Sequence, residues 1–163
     1  MPTPLKQMPE SLRQQVAIYN KKKIDISPLI EGYNISGENL SNSFISNLYM
    51  VEQNISNCNL SNSTVKLVAI KSNAMNCNFR GTQFLPGSSL RSADCRKSNF
   101  VSANGVEIDA AYADLRDIDL CDARFPLFSK KMFRAKLSSK FLDLLKRFLD
   151  VEGLGMVENN EDV

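Results

Sequence analysis

Apolar residues recur with a period of five over more than half of the chain, and this feature restricts the possible folds more than any other. The period runs from Ile35 to Met75, is shifted by a one-residue deletion before Phe79, and is restored by a one-residue insertion at 85–87. Neither the 3.6-residue period of a helix nor the alternation of a strand produces this pattern, so it indicates a structural repeat. Only Gly105 is not apolar among the predicted central positions, which are Ile35, Leu40, Ile45, Met50, Ile55, Leu60, Val65, Ile70, Met75, Phe79, Phe84, Leu90, Cys95, Phe100, Gly105, Ala110, Leu115, Leu120 and Phe125.

Two further columns accompany the apolar one. A small residue stands two positions before most central residues, as at Cys58, Ser63 and Ala93. The residue between them is often Asn or Asp, as at Asn59 and Asp94. The clearest units read CNLSN, CNFRG, SNFVS and ADLRD.

These units resemble the pentapeptide-repeat family, whose pattern is a small residue, Asn or Asp, Leu or Phe, and two polar residues. The resemblance implies an all-β solenoid, specifically a right-handed parallel quadrilateral β-helix in which four pentapeptides form one coil. The predicted units would then make nearly five coils, with short α-helical N- and C-terminal caps. The pattern is looser before Cys58, because Tyr33, Glu38, Leu48 and Gln53 occupy the small-residue column. We therefore expect the first coils to be distorted or wider.

That fold makes predictions about stacking. The central and small residues would both point inward and share a narrow, closely packed interior. Coils stack at about 4.8 Å, so equivalent units of adjacent coils lie above one another. Cys58 and Cys77 should stack in this way and remain free thiols, since parallel stacked side chains do not suit disulfide torsion. One wall is predicted to stack Leu40, Leu60, Phe79, Phe100 and Leu120, and the next Ile45, Val65, Phe84, Gly105 and Phe125.

The chain divides into four predicted segments: residues 1–32 form an N-terminal helical cap, 33–126 the β-helix, 127–154 a C-terminal helical cap, and 155–163 a disordered acidic tail. The caps would contain a helix from Pro9 to Asn20 and another from Ser138 or Ser139 to about Val151. The second helix is apolar around more than half of its circumference, which exceeds what a single-sided cap needs. It could fold back on 130–137 or be a plain cap. We predict instead a homodimer whose interface is Phe141, Leu144, Leu145, Phe148 and Leu149.

The sequence offers little for catalysis. It contains no His, which excludes Ser–His–Asp and Cys–His arrangements. Its four Cys lack C-x-x-C spacing, so a zinc site is not expected, and no Gly-rich phosphate loop occurs. Paired carboxylates would lie on convex walls, and Cys121, at an outward position, is the candidate for a reactive thiol. We therefore predict that the protein is not an enzyme and has no catalytic, cofactor-binding or metal residues and no cofactor.

The distribution of charged residues along the sequence indicates which kinds of partner the protein could bind. The net charge is +2, and no segment has the basic excess typical of nucleic-acid binding. Lys21–Lys23 form one small basic cluster. A looser basic group comprises Lys66, Lys71, Arg80, Arg91, Arg96 and Lys97. A predicted protein-binding acidic patch on the last coils comprises Glu107, Asp109, Asp114, Asp117, Asp119 and Asp122. Solvated surface charge is the alternative interpretation of each group.

The leading functional hypothesis is a non-catalytic protein-interaction scaffold with another protein as partner, no membrane and no direct nucleic acid. The N-terminus lacks an apolar secretory region, so a cytoplasmic location is expected. The resemblance suggests an alternative, because some family members modulate DNA gyrase or topoisomerase by imitating DNA, in quinolone or toxin protection. Those proteins are long, acidic and dimeric, whereas this chain is short and acidic only in its last coils.

Overall fold

A computed structural model describes residues 5–105, 108–124 and 130–139. Within these ranges the chain forms an all-β solenoid, and every strand pair is parallel. The helices are α1 (Glu10–Lys22) and α2 (Ser27–Ile30), and a 3₁₀ turn spans Lys130–Met132. The strands are β1 (Lys6–Gln7), β2 (Tyr33–Asn34), β3 (Phe44–Tyr49), β4 (Thr64–Val68), β5 (Gln83–Phe84), β6 (Asp114–Leu115) and β7 (Lys136–Leu137).

Four ladders of parallel bridges run along the solenoid, because the chain returns beside itself after about twenty residues. Their paired residues are as follows: ladder A, Asn39, Asn59, Asn78, Asn99 and Asp119; ladder B, Asp25, Phe44, Thr64, Gln83, Asn104 and Arg124; ladder C, Tyr49, Val68, Ser89 and Asp109; ladder D, Asn54, Asn73, Asp94, Asp114 and Lys136. Backbone groups of the buried residues pair between coils, as where the Leu60 N–H donates to the Asn78 carbonyl at 2.8 Å. The wall interiors therefore leave few backbone groups to be satisfied by solvent.

Asn and Asp recur along the ladders because their side chains cap the turn that follows. The Asn59 Oδ1 accepts a hydrogen bond from the Ser61 N–H at 3.1 Å, and the same two-residue bond recurs in all four ladders. Two positions after the inward residue, the backbone enters the left-handed region, with φ of 59° at Asn57 and 55° at Asn62. Asn adopts this conformation more readily than most residues, which explains its abundance.

The predicted stacking is confirmed for the described residues. Leu40, Leu60, Phe79 and Phe100 are each 0% exposed and lie at equivalent positions of successive coils. The rings of Phe79 and Phe100 stack with centroids 4.8 Å apart. Small inward hydroxyl groups find partners in the neighbouring coil, as where the Thr82 Oγ1 donates to the Leu60 carbonyl at 2.7 Å. A core of this kind combines close packing with satisfied polar groups.

The buried thiols also follow the prediction. The bridge between Asn59 and Asn78 places Cys58 and Cys77 at equivalent positions of adjacent coils. Both are buried and free. Burial raises the pKa of Cys77 to about 12, so this thiol stays protonated and behaves as a small apolar core residue.

One part of the predicted repeat frame was wrong. Ala69 and Ala74 are fully buried, whereas Ile70 and Met75, the predicted central residues, are only half-buried. The one-residue deletion in the repeat lies inside β4. This strand pairs with the longer β3 through a register shift between Ile45 and Leu48. The frame therefore changes before Ala69 rather than after Met75. Ile70 and Met75 are apolar, and so are Ala69 and Ala74, so the five-residue period alone could not show which pair points inward.

Helix α1 packs on the solenoid through apolar residues and one partly exposed ion pair. Leu12 and Val16 belong to the same core as the coils. The Glu38 side chain, 11% exposed, stands in the small-residue column and accepts two hydrogen bonds from the Arg13 guanidinium, at 2.9 and 2.6 Å. A carboxylate at such a position requires a paired cation, which explains how the first coils tolerate Glu38.

Parallel pairing extends beyond 33–126 at both ends. Asp25 bridges Phe44, and Lys136 pairs with Asp114. The predicted first helix is present as α1, and the predicted helix after Ser139 lies outside the described residues. Among the part of the chain that the structure describes, no helix has the length and apolar character needed to cross a membrane.

Candidate interaction surface

The structure distributes the predicted acidic patch over several walls. Asp109, Asp114 and Asp119 belong to ladders C, D and A respectively, and Asp117 and Asp122 occupy exposed turns. Glu107 lies outside the described residues. Asp109 accepts a hydrogen bond from the Arg91 Nε at 2.9 Å. The described acids therefore do not form one continuous surface.

Asp114 belongs to a mixed-charge network on ladder D. Arg116 donates two hydrogen bonds to Asp114, at 2.9 and 2.7 Å, and Arg96 makes the same bidentate contact with Asp94. Arg96 also approaches Asp114 at 3.8 Å, which links the two coils. The hydrogen bonds from Arg96 lower the pKa of Asp94. Burial opposes the ionisation of Asp114, but hydrogen bonds from Arg116 outweigh it and lower its pKa.

Three aromatic residues project from ladder C and the turn that follows it. Tyr49 is 59% exposed, Tyr112 45% and Phe133 38%. Tyr112 and Phe133 meet edge to face with ring centroids 5.5 Å apart, and the Tyr112 N–H donates to the Phe133 carbonyl. Exposed aromatic residues at neighbouring positions are typical of protein-binding surfaces.

A Lys or Arg side chain lies over each of these rings. Lys66 Nζ lies 5.9 Å from the Tyr49 ring centroid, the Arg91 guanidinium carbon 5.9 Å from that of Tyr112, and the Arg134 guanidinium carbon 5.5 Å from that of Phe133. Cation–π contacts of this kind hold both groups in place at the surface. We call these residues the basic-aromatic strip: Tyr49, Lys66, Arg91, Tyr112, Phe133 and Arg134.

A shallow cleft adjoins the strip at Tyr49. It has a volume of about 210 Å³ and lies between 27–32 and the C-terminal end of β3. Apolar lining comes from Leu5, Ile30, Leu48 and Met50, and Glu31 contributes a carboxylate. A space of this size accepts one apolar side chain rather than a large substrate.

Beside the cleft, Asp25 stabilises the irregular start of β3. Its carboxylate accepts hydrogen bonds from the hydroxyl and N–H groups of Ser27 and Ser46. Burial alone would raise the pKa of Asp25, but these bonds outweigh it and lower the pKa to about 2. A carboxylate this acidic is a weak base, so it is poorly suited to activating the Ser27 hydroxyl. The cluster is consistent with a structural role.

The other predictions from the sequence concern the thiol of Cys121, metal binding, the dimer interface and the basic residues. Cys121 is exposed, and the charge of Asp122 raises its pKa, which disfavours the reactive thiolate. No cluster that could hold a metal ion occurs among the described residues.

The predicted dimer interface, Phe141 to Leu149, lies outside the described residues and stays a prediction. Lys71 pairs with Glu52 at 3.8 Å, and Arg80 is exposed on the turn after ladder A.

Sequence reasoning missed the basic-aromatic strip, although a signal existed. Most outward positions of the predicted repeat carry polar residues, and Tyr49 and Tyr112 are exceptions; Phe133 lies beyond the predicted repeat. Large apolar residues at outward positions are the exceptions to examine in a solenoid, because burial in the core does not explain them.

Comparison with known proteins supports the repeat assignment. Residues 88–125 match the family model for pentapeptide repeats, in eight copies. No curated protein matches the chain.

Several solved structures show distant likenesses. A pentapeptide repeat protein from the Arabidopsis thaliana thylakoid lumen is 16% identical, with a TM-score of 0.34 over 74% of this chain and 79% of that chain. HetL, a pentapeptide repeat protein involved in heterocyst differentiation regulation from Nostoc sp. strain PCC 7120, is 19% identical, with a TM-score of 0.33 over 56% of this chain and 51% of that chain. QnrB1, a plasmid-mediated fluoroquinolone resistance protein, is 12% identical, with a TM-score of 0.28 over 74% and 92%. With TM-scores this low, these likenesses carry no argument about what the chain does.

Proposed function

We propose that this pentapeptide-repeat protein, whose family repeats lie at 88–125, is a non-catalytic scaffold that binds another protein through the basic-aromatic strip. The observation that carries the proposal is the exposure of Tyr49, Tyr112 and Phe133 along one edge of the solenoid. Tyr, Phe and Arg are enriched in protein interfaces, where they bury large areas at low entropic cost. A stacked wall with paired backbone groups holds such side chains in fixed positions, which reduces the cost of binding.

The finer architecture belongs to the same proposal. We propose a right-handed, four-sided β-helix of nearly five coils with helical segments at its ends. The four ladders and the packing of α1 support this arrangement. We further propose a cytoplasmic homodimer formed through Phe141, Leu144, Leu145, Phe148 and Leu149.

The charge distribution favours this scaffold over imitation of DNA. A DNA mimic requires a continuous negative surface, whereas Asp94 and Asp114 of ladder D are paired with Arg96 and Arg116, two positions after each of them. The strip adds the cations Lys66, Arg91 and Arg134 beside ladder C. Modulation of gyrase or topoisomerase is therefore the weaker candidate.

Site-specific photocrosslinking in the source cell tests the scaffold proposal. A photoreactive amino acid at Tyr112 should give a discrete crosslinked protein, and one at Arg80, which is exposed on the turn after ladder A, should not. The crosslinked protein, once purified, should bind the unmodified chain in calorimetry and bind a Tyr112→Asn variant more weakly. Equal crosslinking from both positions would contradict the proposal.

A further inference from the structure

We infer that the basic-aromatic strip selects an acidic, extended protein segment that runs along the solenoid axis and places one apolar side chain in the cleft beside Tyr49. This inference rests on the proposed function and adds the chemistry of the partner. It combines three observations: the charge around the strip, the length of the strip and the position of the cleft.

Charge is the first observation. Cations outnumber acids among the described residues around the strip and its cleft: Lys66, Lys71, Arg91, Lys131 and Arg134 against Glu31, Glu52 and Asp109. Arg91 already contacts Asp109 and lies over Tyr112, so its guanidinium is held in place before a partner arrives. Arg donates to carboxylates in a fixed fork geometry, so a pre-positioned Arg favours an acidic residue of the partner.

Length is the second observation. Tyr49 and Asp109 are three steps apart on ladder C, and each step is about 4.8 Å, so they are separated by about 14 Å along the axis. Phe133 lies one step beyond Tyr112, at about 19 Å. An extended chain advances about 3.3 Å per residue, so four to six residues span the strip.

The cleft is the third observation, because it determines where the apolar residue of the segment lies. Tyr49 both lines the cleft and begins the strip. Glu31 is part of the lining, which disfavours an acidic side chain there and favours an apolar one. A partner segment should therefore carry an apolar residue separated by four to six residues from carboxylates that reach Arg91.

Nucleic acid would also meet cations and aromatic rings here, but the structure favours protein. Glu52 and Asp109 are interspersed among the cations, and the net charge of the chain is only +2. Phosphate backbones carry a dense negative charge that such mixed surfaces attract weakly. The apolar cleft, in addition, matches a side chain better than a base with its polar edge.

An unbiased peptide selection tests this inference. A phage library of random linear peptides is selected on the full-length protein, and enriched peptides are synthesised with a fluorescent label for anisotropy titrations. Enriched sequences should carry net negative charge, with an apolar residue four to six positions from an acidic cluster. Shortening that spacing by two residues, or replacing the acids by Asn and Gln, should weaken binding at least about fivefold.

Three variants locate the site. Tyr112→Asn removes the ring but suits the left-handed backbone there, φ 60°, and Arg91→Gln removes the charge. Each should weaken peptide binding at least about fivefold with little change in melting temperature. Arg80→Gln is the matched control and should bind as the unmodified protein does.

The contrary outcomes are separate from those of the scaffold proposal. Enriched peptides without acidic residues, or binding insensitive to Tyr112→Asn and Arg91→Gln, would overturn the inference even if crosslinking at Tyr112 identifies a partner. A labelled duplex or single-stranded oligonucleotide that binds more tightly than the peptides, with the same dependence on Arg91, would make the strip a nucleic-acid surface instead.

Discussion

Truncation of Phe100 tests the inward column of the repeat at a fully buried position. Phe100 is 0% exposed, and its ring stacks on Phe79 at 4.8 Å and lies 6.3 Å from the ring of Phe84. Phe100→Ala removes the whole ring from the interior of a wall whose coils are joined by backbone hydrogen bonds. The surrounding residues cannot collapse into the space without breaking that ladder.

The size of the effect follows from transfer and cavity terms. Deleting a buried Phe ring loses its transfer free energy and leaves a cavity, and together these destabilise the protein by about 3–5 kcal/mol. We therefore expect about 4 kcal/mol of destabilisation. At about 2–4 °C per kcal/mol for a chain of this size, the melting temperature should fall by about 8–16 °C.

Phe44→Ala is the matched control, because it deletes the same atoms from an outward position that is 37% exposed. It should cost about 1 kcal/mol. Thermal melts followed by circular dichroism, with urea unfolding as a second measurement, compare the two variants. Similar shifts for both would refute the assignment of Phe100 to the interior and of Phe44 to the outer wall.

Three further predictions follow from the core and its polar contacts. Arg13→Ala should lower the melting temperature because it leaves the Glu38 carboxylate buried without its partner, and Glu38→Gln in the same background should recover part of the loss; no recovery would show that the ion pair is not the cause. In urea unfolding, Ala74→Met should cost about 1–3 kcal/mol by overpacking, and Met75→Ala less than about 1 kcal/mol; the reverse order would reinstate the original frame. Because the pKa of Asp25 is lowered from 3.8 to about 2, its stabilising effect is complete above about pH 4 and is lost as the pH falls through about 2. Asp25→Asn should therefore flatten acid unfolding between those pH values, and an unchanged acid-unfolding curve would contradict the role of this carboxylate.

The sequence by itself determined the repeat and most of its inward column. Leu40, Leu60, Phe79 and Phe100 were assigned correctly because a five-residue period leaves few alternative partners for apolar side chains. The family resemblance was confirmed at 88–125, where the pattern is most regular. The insertion at 85–87 was also placed correctly, since the ladder spacing changes there, with Val68 bridging Ser89 twenty-one positions later.

Tertiary structure decided the features that depend on contacts between coils. The deletion lies in β4 because its pairing with β3 shifts register, and Ala69 and Ala74 are small apolar residues next to larger ones that periodicity favoured. Glu38 fits the interior only because α1 brings Arg13 to it from twenty-five positions away. The position of the charges depends on the same stacking. Asp109, Asp114 and Asp119 are five residues apart in sequence, so they lie on three different ladders and do not form one acidic surface. Tyr112 and Phe133, twenty-one positions apart, come together instead, because residues about one coil apart are spatial neighbours.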